Sequence, residues 1–356
     1  MGQGPVPKIF TSLSEAIHWI GINNYGVKNW LFLLDDFLAI DSPLDNMINT
    51  RDTLLSLFAR LGVPLNDKKT EGPTTCLEYL GIILDSVKME ARLPRAKLDR
   101  IASLLNSFLA CSVCSKRELL SLLGHLNFAC RVVIHGRTFM ARLIEASTSV
   151  RLLWHKVHLS YECREDIYMW HKLLREWNGI SMFYNQVGVT TTDLKVWTDS
   201  SSSFGFGGYY QAIEEAFSDT WINHPLLNVT EQAMSYLELY PIVASCIMWG
   251  KHWRRRRIVF MCDNEGTVAI LNKGRSRCKE INKLMRRLSV VATKYNFIFS
   301  SLWLSTKANV EADLLSRGKL SSFQEEAPAA RLIPCPPQGE VLLTMPTLPR
   351  GIVNKP

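Results

Sequence analysis

Between residues 194 and 317 short apolar runs alternate with helical patterns, and four acids stand at the joints between them. Asp199 ends a predicted strand (Leu194 to Thr198) and Asp263 ends another (Ile258 to Cys262). Glu238 lies early in a helical pattern over 230–250, and Asp313 early in a short one over 309–317. Strand ends and helix starts can share one edge of an α/β sheet, so acids far apart in sequence are expected to share one pocket. Carboxylates packed together repel and raise each other's pKa, a costly arrangement unless cations occupy it. The pattern therefore predicts divalent metal held by Asp199, Glu238, Asp263 and Asp313.

The local contexts suit that chemistry. Trp197-Thr198-Asp199-Ser200-Ser201 leaves a strand for a polar turn. Ser235-Tyr236-Leu237-Glu238 has the form of a capping box, which would put Glu238 in the first helical turn and Pro241 near the helix start, where its missing N–H is tolerated. Phe204 to Tyr210 alternates aromatics with glycines that leave room for another backbone or a ligand. Asn264, just after Asp263, is expected to cap the next helix, with contact to a base or sugar as the alternative. Two-metal phosphodiester cleavage uses cations about 3.5–4 Å apart. Hard Mg²⁺ prefers carboxylate and water oxygens. Two Mg²⁺ (or Mn²⁺) ions are the expected cofactors.

At 356 residues the chain is long enough for two or three domains, and 47% hydrophobic against 21% charged residues excludes a disordered polymer. A formal charge of +8 favours a polyanionic partner. Nine scattered cysteines fit a reducing compartment rather than a disulfide framework. Cys111-Ser112-Val113-Cys114 has no second pair at zinc-ribbon spacing, and Ser115-Lys116-Arg117-Glu118 reads as a capping box behind it. No basic segment leads into an apolar run at the N-terminus, and the run Trp30 to Ile40 is too short to span a bilayer. The expected setting is intracellular, nuclear or cytoplasmic, with no membrane partner.

Upstream, residues 11–29 read as a helix, Trp30 to Ile40 as a hairpin with an acidic turn, 44–61 as a helix stopped by Gly62, and 76–84 as short strands. From Pro94 to about 178 the pattern is nearly all helical. Arg131, His135, Arg137, Arg142 and Arg151 are interleaved with its leucines, as solvated faces or as the flank of a nucleic-acid groove. Two basic clusters lie nearer the acids. Arg254-Arg255-Arg256-Arg257 precedes the Asp263 strand, and Lys273, Arg275 and Arg277 follow its turn; both are candidate phosphate contacts. Residues 318–356, rich in Ala and Pro, read as a largely unstructured tail.

Four strings in order, Thr198-Asp199-Ser200, Leu237-Glu238-Leu239-Tyr240-Pro241, Cys262-Asp263-Asn264 and Asn309-Val310-Glu311-Ala312-Asp313-Leu314-Leu315-Ser316-Arg317, resemble the ribonuclease H domain of retrotransposon polyproteins, DIRS-type first and gypsy-like elements next. The resemblance implies a metal-dependent nuclease cutting RNA in RNA–DNA hybrids, and a mixed five-stranded sheet with flanking helices. Related elements often carry a histidine-containing loop before the last acid; here Trp303-Leu304-Ser305-Thr306-Lys307 fills that space, with Trp303 near the histidine position.

The N-terminal half is similar to reverse transcriptases. Leu33-Leu34-Asp35-Asp36-Phe37-Leu38 resembles their Tyr-x-Asp-Asp hairpin, with Leu33 for the tyrosine, so Asp35 and Asp36 become a polymerase remnant. Leu61 to Thr70 and Tyr79 to Ile82 resemble the next palm motifs, and the helical block a thumb and connection. This implies an α/β (α+β) chain with a partial palm at 1–90, a helical thumb/connection at 91–190, a ribonuclease H-like domain at 194–317 and the tail. Polymerisation requires an earlier palm aspartate, and no Asp precedes Asp35. The expected partners are RNA–DNA hybrid, other nucleic acid and a full-length element-encoded protein. Three readings stay open at this point: a retroelement fragment with an active nuclease, an inert nucleic-acid-binding or domesticated remnant, and a structural or interaction protein using only the helical middle.

Overall fold

The structure is a computed structural model that describes residues 6–42, 47–177, 180–182, 194–221 and 233–342. The predicted helix starts at 44 and 230, and residues 343–356 of the tail, lie outside these. Two compact units divide the chain, Met1–Pro94 and Arg95–Pro356.

In the first unit, α1 (Val6–Tyr25) precedes the hairpin β1 (Trp30–Leu33) and β2 (Asp36–Ala39), which pair antiparallel with Leu33 opposite Asp36. Leu34 turns the chain with φ 55, so Asp35 lies in the turn and Asp36 starts the return strand. After α2 (Met47–Arg60), Gly62 takes a left-handed φ of 67, as a helix stop requires. Ile17, Val27, Trp30, Leu57 and Phe58 form the core beneath the hairpin. β3 (Cys76–Tyr79), β4 (Ile82–Asp85) and β5 (Glu90–Arg92) then form an antiparallel meander; the third of these strands was not foreseen.

The second unit opens with helices. They are α3 (Arg95–Ala110), α4 (Lys116–Ala129), α5 (Ala141–Thr148) and α6 (Tyr161–Trp177), with the short strands β6 (Val113–Ser115) and β7 (Lys156–His158) pairing between them. The expected capping box is present: Ser115 accepts from the Glu118 N–H, and Glu118 reaches back to the Ser115 N–H. Beyond β8 (Ile180–Met182) comes the main sheet: β9 (Lys195–Ser200), β10 (Gly205–Tyr210), β11 (Glu215–Thr220), β12 (Arg257–Cys262) and β13 (Ile298–Trp303). Its order is β13-β12-β9-β10-β11, with β9, β10 and β11 antiparallel and β12 and β13 parallel to β9. Helices α7 (Ala233–Trp249), α8 (Glu265–Lys273), α9 (Lys279–Tyr295) and α10 (Val310–Ser316) complete this part. An apolar core of Val196, Phe206, Phe217, Leu239, Ile242, Trp249, Trp253, Phe260 and Leu288 joins the sheet to α7 and α9.

Three expectations are corrected here. The sheet has six strands, because the presumed tail folds: α11 (Leu320–Glu326) is followed by β14 (Arg331–Leu332), which pairs parallel with β11, and by α12 (Gln338–Val341). Phe323, fully buried edge-on against Tyr209, is the apolar anchor that its Ala- and Pro-rich surroundings disguised. Next, α7 begins before Ser235, so Ser235 is no cap; its hydroxyl instead reaches Asn264 Oδ1 at 3.4 Å. Glu238 therefore sits in the second turn, and Pro241 lies inside the helix, where Leu237 loses its usual N–H partner.

The third correction concerns His135 and Arg142, neither of which is simply a solvated helix-face residue. His135 is buried, stacks on Phe299, and bonds through Nε2 to the Phe297 carbonyl at 2.8 Å; since a carbonyl only accepts, Nε2 carries the proton. Thr138 meets Ser289 of α9 at 3.0 Å, and the buried Asp166 of α6 pairs with Arg286 of α9 and lies 3.8 Å from Arg142. Burial pushes Asp166 up to about 7, against the pull of the two arginines. These ties fasten the helical block to α9 and β13.

Burial also holds His135 down to about 4, despite the Phe297 carbonyl. The unfolded chain would take up a proton near 6.5, so native stability falls as pH drops from about 6.5 towards 4. Urea unfolding should show His135→Leu less stable than the parent at pH 7. By pH 5 that gap should narrow by about 2 kcal/mol, the parent alone having lost the proton-linked stability.

Candidate active site

The register of two parallel strands builds the centre of the site. Met261 of β12 pairs with Trp197 of β9, so two residues further along each strand Asp263 comes beside Asp199 on the same face. α7 packs against β9 and β10 and delivers Glu238; α10 packs against the same two strands and delivers Asp313. The close approach of α10 depends on Gly207, the partner of Asp199 across β10. A Cβ there would lie 2.4 Å from the Leu315 Cβ. The glycines of the aromatic strand thus admit another backbone, as their spacing suggested.

Each acid has its own partners. The Ser316 hydroxyl donates to Asp199 Oδ2 at 2.6 Å, and the Ser200 hydroxyl to Glu238 Oε1 at 3.0 Å. Thr306 donates to Asp263 Oδ2 at 2.8 Å, while the Trp303 indole N–H donates to the Asp263 backbone carbonyl at 2.9 Å. Arg317 holds Asp313 Oδ1 through Nε at 2.8 Å. Asn309, fully buried, donates to the Thr198 carbonyl at 3.1 Å and so ties the start of α10 to the end of β9. Asn264 caps α8 by accepting from the Thr267 N–H at 2.9 Å, as expected.

Electrostatics show which acids feel one another. Asp199 and Glu238 are both buried. Burial pushes Asp199 up to about 7; the Ser316 hydroxyl opposes this, and the charges of Asp263 and Asp313 add to it. Glu238 is raised well above its ordinary value, first by burial, then by Asp199 and Asp263. Arg317 is raised by Asp313 foremost, with Asp199 and Asp263 also acting on it. All four predicted acids therefore belong to one electrostatic neighbourhood at one sheet edge. Their closeness is uneven: the tightest group of ligand atoms, all within 4.8 Å of one another, is Glu238, Asp263 and the Cys262 thiol. Burial and the neighbouring acids raise the Cys262 thiol far above its usual range, so it stays protonated beside them.

Sequence reasoning missed Ser200, Cys262, Thr306, Ser316 and Arg317. Ser200 and Cys262 adjoin a predicted acid, and Ser316 and Arg317 follow Asp313 by three and four residues, where hydroxyl, thiol or cation was the available signal. Thr306 is distant from Asp263 in sequence and had none. The basic residues fall elsewhere. Arg257 starts β12 and Asp263 follows its end, so Arg254 to Arg257 stand a full strand away, roughly 20 Å. Lys273 ends α8, whose start adjoins Asp263, and Arg275 and Arg277 follow in the next loop. All but the half-buried Arg257 are exposed. Asp35 and Asp36 are exposed, and among the described residues neither joins a group of three or more metal-ligating side chains.

No model of a known protein family matches the chain. No curated protein matches it either. Among solved structures it is similar to a foamy viral protease-reverse transcriptase dRH in complex with double-stranded DNA, at TM-score 0.44 and 12% identity over 83% of this chain and 49% of the other. The foamy viral protease-reverse transcriptase is also matched in complex with double-stranded DNA, at TM-score 0.42 and 12% identity over 85% and 60% of the two chains. With RNA/DNA hybrid the figures are 0.42 and 12%, over 83% and 38%. This chain thus spans less than two thirds of each of these structures. Likeness of this degree adds nothing about the site, which stands on its own geometry.

Gly207→Val should displace α10 from β9 and draw Asp313 away from Asp199. The expected result is a stability loss of about 1–3 kcal/mol in urea unfolding, with weakened Mn²⁺ binding by calorimetry.

Proposed function

We propose that this sheet edge is the active centre of a divalent-cation-dependent nuclease of ribonuclease H type, acting on RNA within RNA–DNA hybrids. The observation that carries the reading is the juxtaposition of Asp199 and Asp263 by strand register, with Glu238 and Asp313 brought to them by helices. Four carboxylates in one neighbourhood suit hard cations in their oxygen chemistry. Among the described residues the one cation bonded to any of them is Arg317, and the partners of the buried pair Asp199 and Glu238 are neutral: hydroxyls, a thiol and the Ser200 backbone. Asp199, Glu238, Asp263 and Asp313 would hold two Mg²⁺ or Mn²⁺ ions. When bound, such ions supply activated water and charge stabilisation for phosphodiester hydrolysis.

The chain's own residues do the positioning. Ser200 and Ser316 fix the two buried carboxylates, so their oxygens need no reorganisation when a cation arrives. Thr306 and Trp303 fix Asp263 from two sides. Asp313 alone is held by a charged and half-exposed partner, which makes it the most adaptable of the four. The exposed Arg254 to Arg256, Lys273, Arg275 and Arg277, with the half-buried Arg257, are assigned to phosphates remote from the scissile bond, given their distance along β12 and α8. The DIRS-type affinity rests on the sequence motifs alone.

The decisive experiment is cleavage of a labelled RNA–DNA hybrid by the purified chain with Mg²⁺ or Mn²⁺. Cleavage is expected, with a loss of at least a hundredfold in Asp263→Asn and in Asp199→Asn. Saturating Mg²⁺ should also raise the melting temperature of the parent and not of Asp263→Asn. Hybrid binding with no cleavage under either ion would establish the inert nucleic-acid-binding reading instead. For the N-terminal unit we propose that Asp35 and Asp36 do not by themselves support polymerisation. Primer extension by this chain should give no template-directed product.

A further inference from the structure

Trp303 combines exposure with an anchor inside the site. It ends β13, which pairs Cys262 with Trp303, and its side chain is 53% exposed. The ring is nevertheless held: its N–H is committed to the Asp263 carbonyl at 2.9 Å. The segment around it is fixed as well, because the Leu304 N–H donates to the Cys262 carbonyl at 3.1 Å and Thr306 to the Asp263 carboxylate at 2.8 Å. A large exposed aromatic normally loses conformational freedom when it binds something. Here the hydrogen bond has already restricted that freedom, so contact with a ligand costs little further ordering.

What such a ring would meet follows from its neighbour. A phosphate engaged at Asp263 is flanked covalently by sugars, and the minor groove of a hybrid displays sugar rings and 2′-hydroxyls. We propose that the fixed indole of Trp303 is a substrate-binding platform that packs its face against a sugar ring of the RNA–DNA hybrid beside the scissile phosphate. The inference deepens the nuclease reading and rests on it for the identity of the ligand. Trp303 accordingly contributes binding and placement, and it takes no part in proton transfer.

The test separates the ring face from the N–H anchor. Affinity for a fluorescein-labelled RNA–DNA hybrid would be measured by anisotropy in Ca²⁺, which avoids turnover, for the parent, Trp303→Phe, Trp303→Leu and Trp303→Ala. Phe retains an aromatic face and lacks the N–H; Leu and Ala lack both. The expected dissociation constants are near parental for Phe and roughly three- to tenfold weaker for Leu and Ala. In cleavage assays the loss of Leu and Ala relative to Phe, which equally lacks the N–H, should appear in KM, with kcat alike among the three variants. Affinity in Trp303→Ala equal to the parent overturns the platform, as does a parent chain that binds no hybrid. Phe falling as far as Ala also overturns it, since only the anchor on Asp263 would then matter. A larger loss on single-stranded RNA than on hybrid overturns the sugar contact in favour of base stacking. A parent that binds hybrid with the Phe/Ala pattern yet never cleaves sinks the nuclease reading and leaves the platform standing.

Discussion

The pairing of β9 with β12 is the constraint on which the rest of the site depends. Parallel strands have no hairpin to set their register, so the alignment of Trp197 with Met261 must come from packing on both faces. A slip of one residue would turn one of the two acids to the opposite face of the sheet. The burial of Val196 and Phe260, with α7 packed against β9 and α9 packed on α7, opposes such a slip. Apolar packing well away from the charges thus keeps two repelling carboxylates side by side.

The helical block contributes to that rigidity through α9 and the start of β13. His135 takes up the Phe297 carbonyl just before β13, and Asp166 takes up Arg286 in the middle of α9. Removing either partner of a buried ion pair leaves an unpaired charge, which costs more than the pair contributes when whole. β13 lies beside β12 and carries Trp303 at its far end, so these ties anchor the strand at the end opposite Asp263.

The sequence was most legible where local chemistry and tertiary position coincide. Asp199 and Asp263 could be placed because each ends an apolar run, and Asn264 because a cap is a local device. Ser235 misled for the opposite reason: it has the spacing of a cap, but the helix already runs through it, and its hydroxyl serves Asn264 of another element. Residues 320–342 read as tail because their buried apolar residues, Phe323, Ala327, Ala330 and Val341, are scattered rather than set in a periodic stripe. His135 and Arg142 lie among the charged positions of helices, and only tertiary contact reveals them as ties. The basic clusters are near Asp263 in sequence and distant in space, because a strand and a helix each carry the chain straight away from the acids.

The four acids divide by what restrains them. Asp199 and Glu238 are buried and held by short neutral side chains, a setting in which a carboxylate keeps its place with or without a counter-charge. Asp313 is restrained by Arg317, whose side chain is about half exposed, and a solvent-accessible pair of this kind is worth about 1 kcal/mol or less. A cation arriving at the cluster can therefore displace the guanidinium at small cost, whereas moving the inner pair would disturb the sheet itself. Arg317 also feels Asp199 and Asp263, so it partly offsets the repulsion of the cluster until a stronger charge replaces it. Under the proposed nuclease reading the inner acids would define where a metal sits, and the outer helix would supply the adaptable ligand.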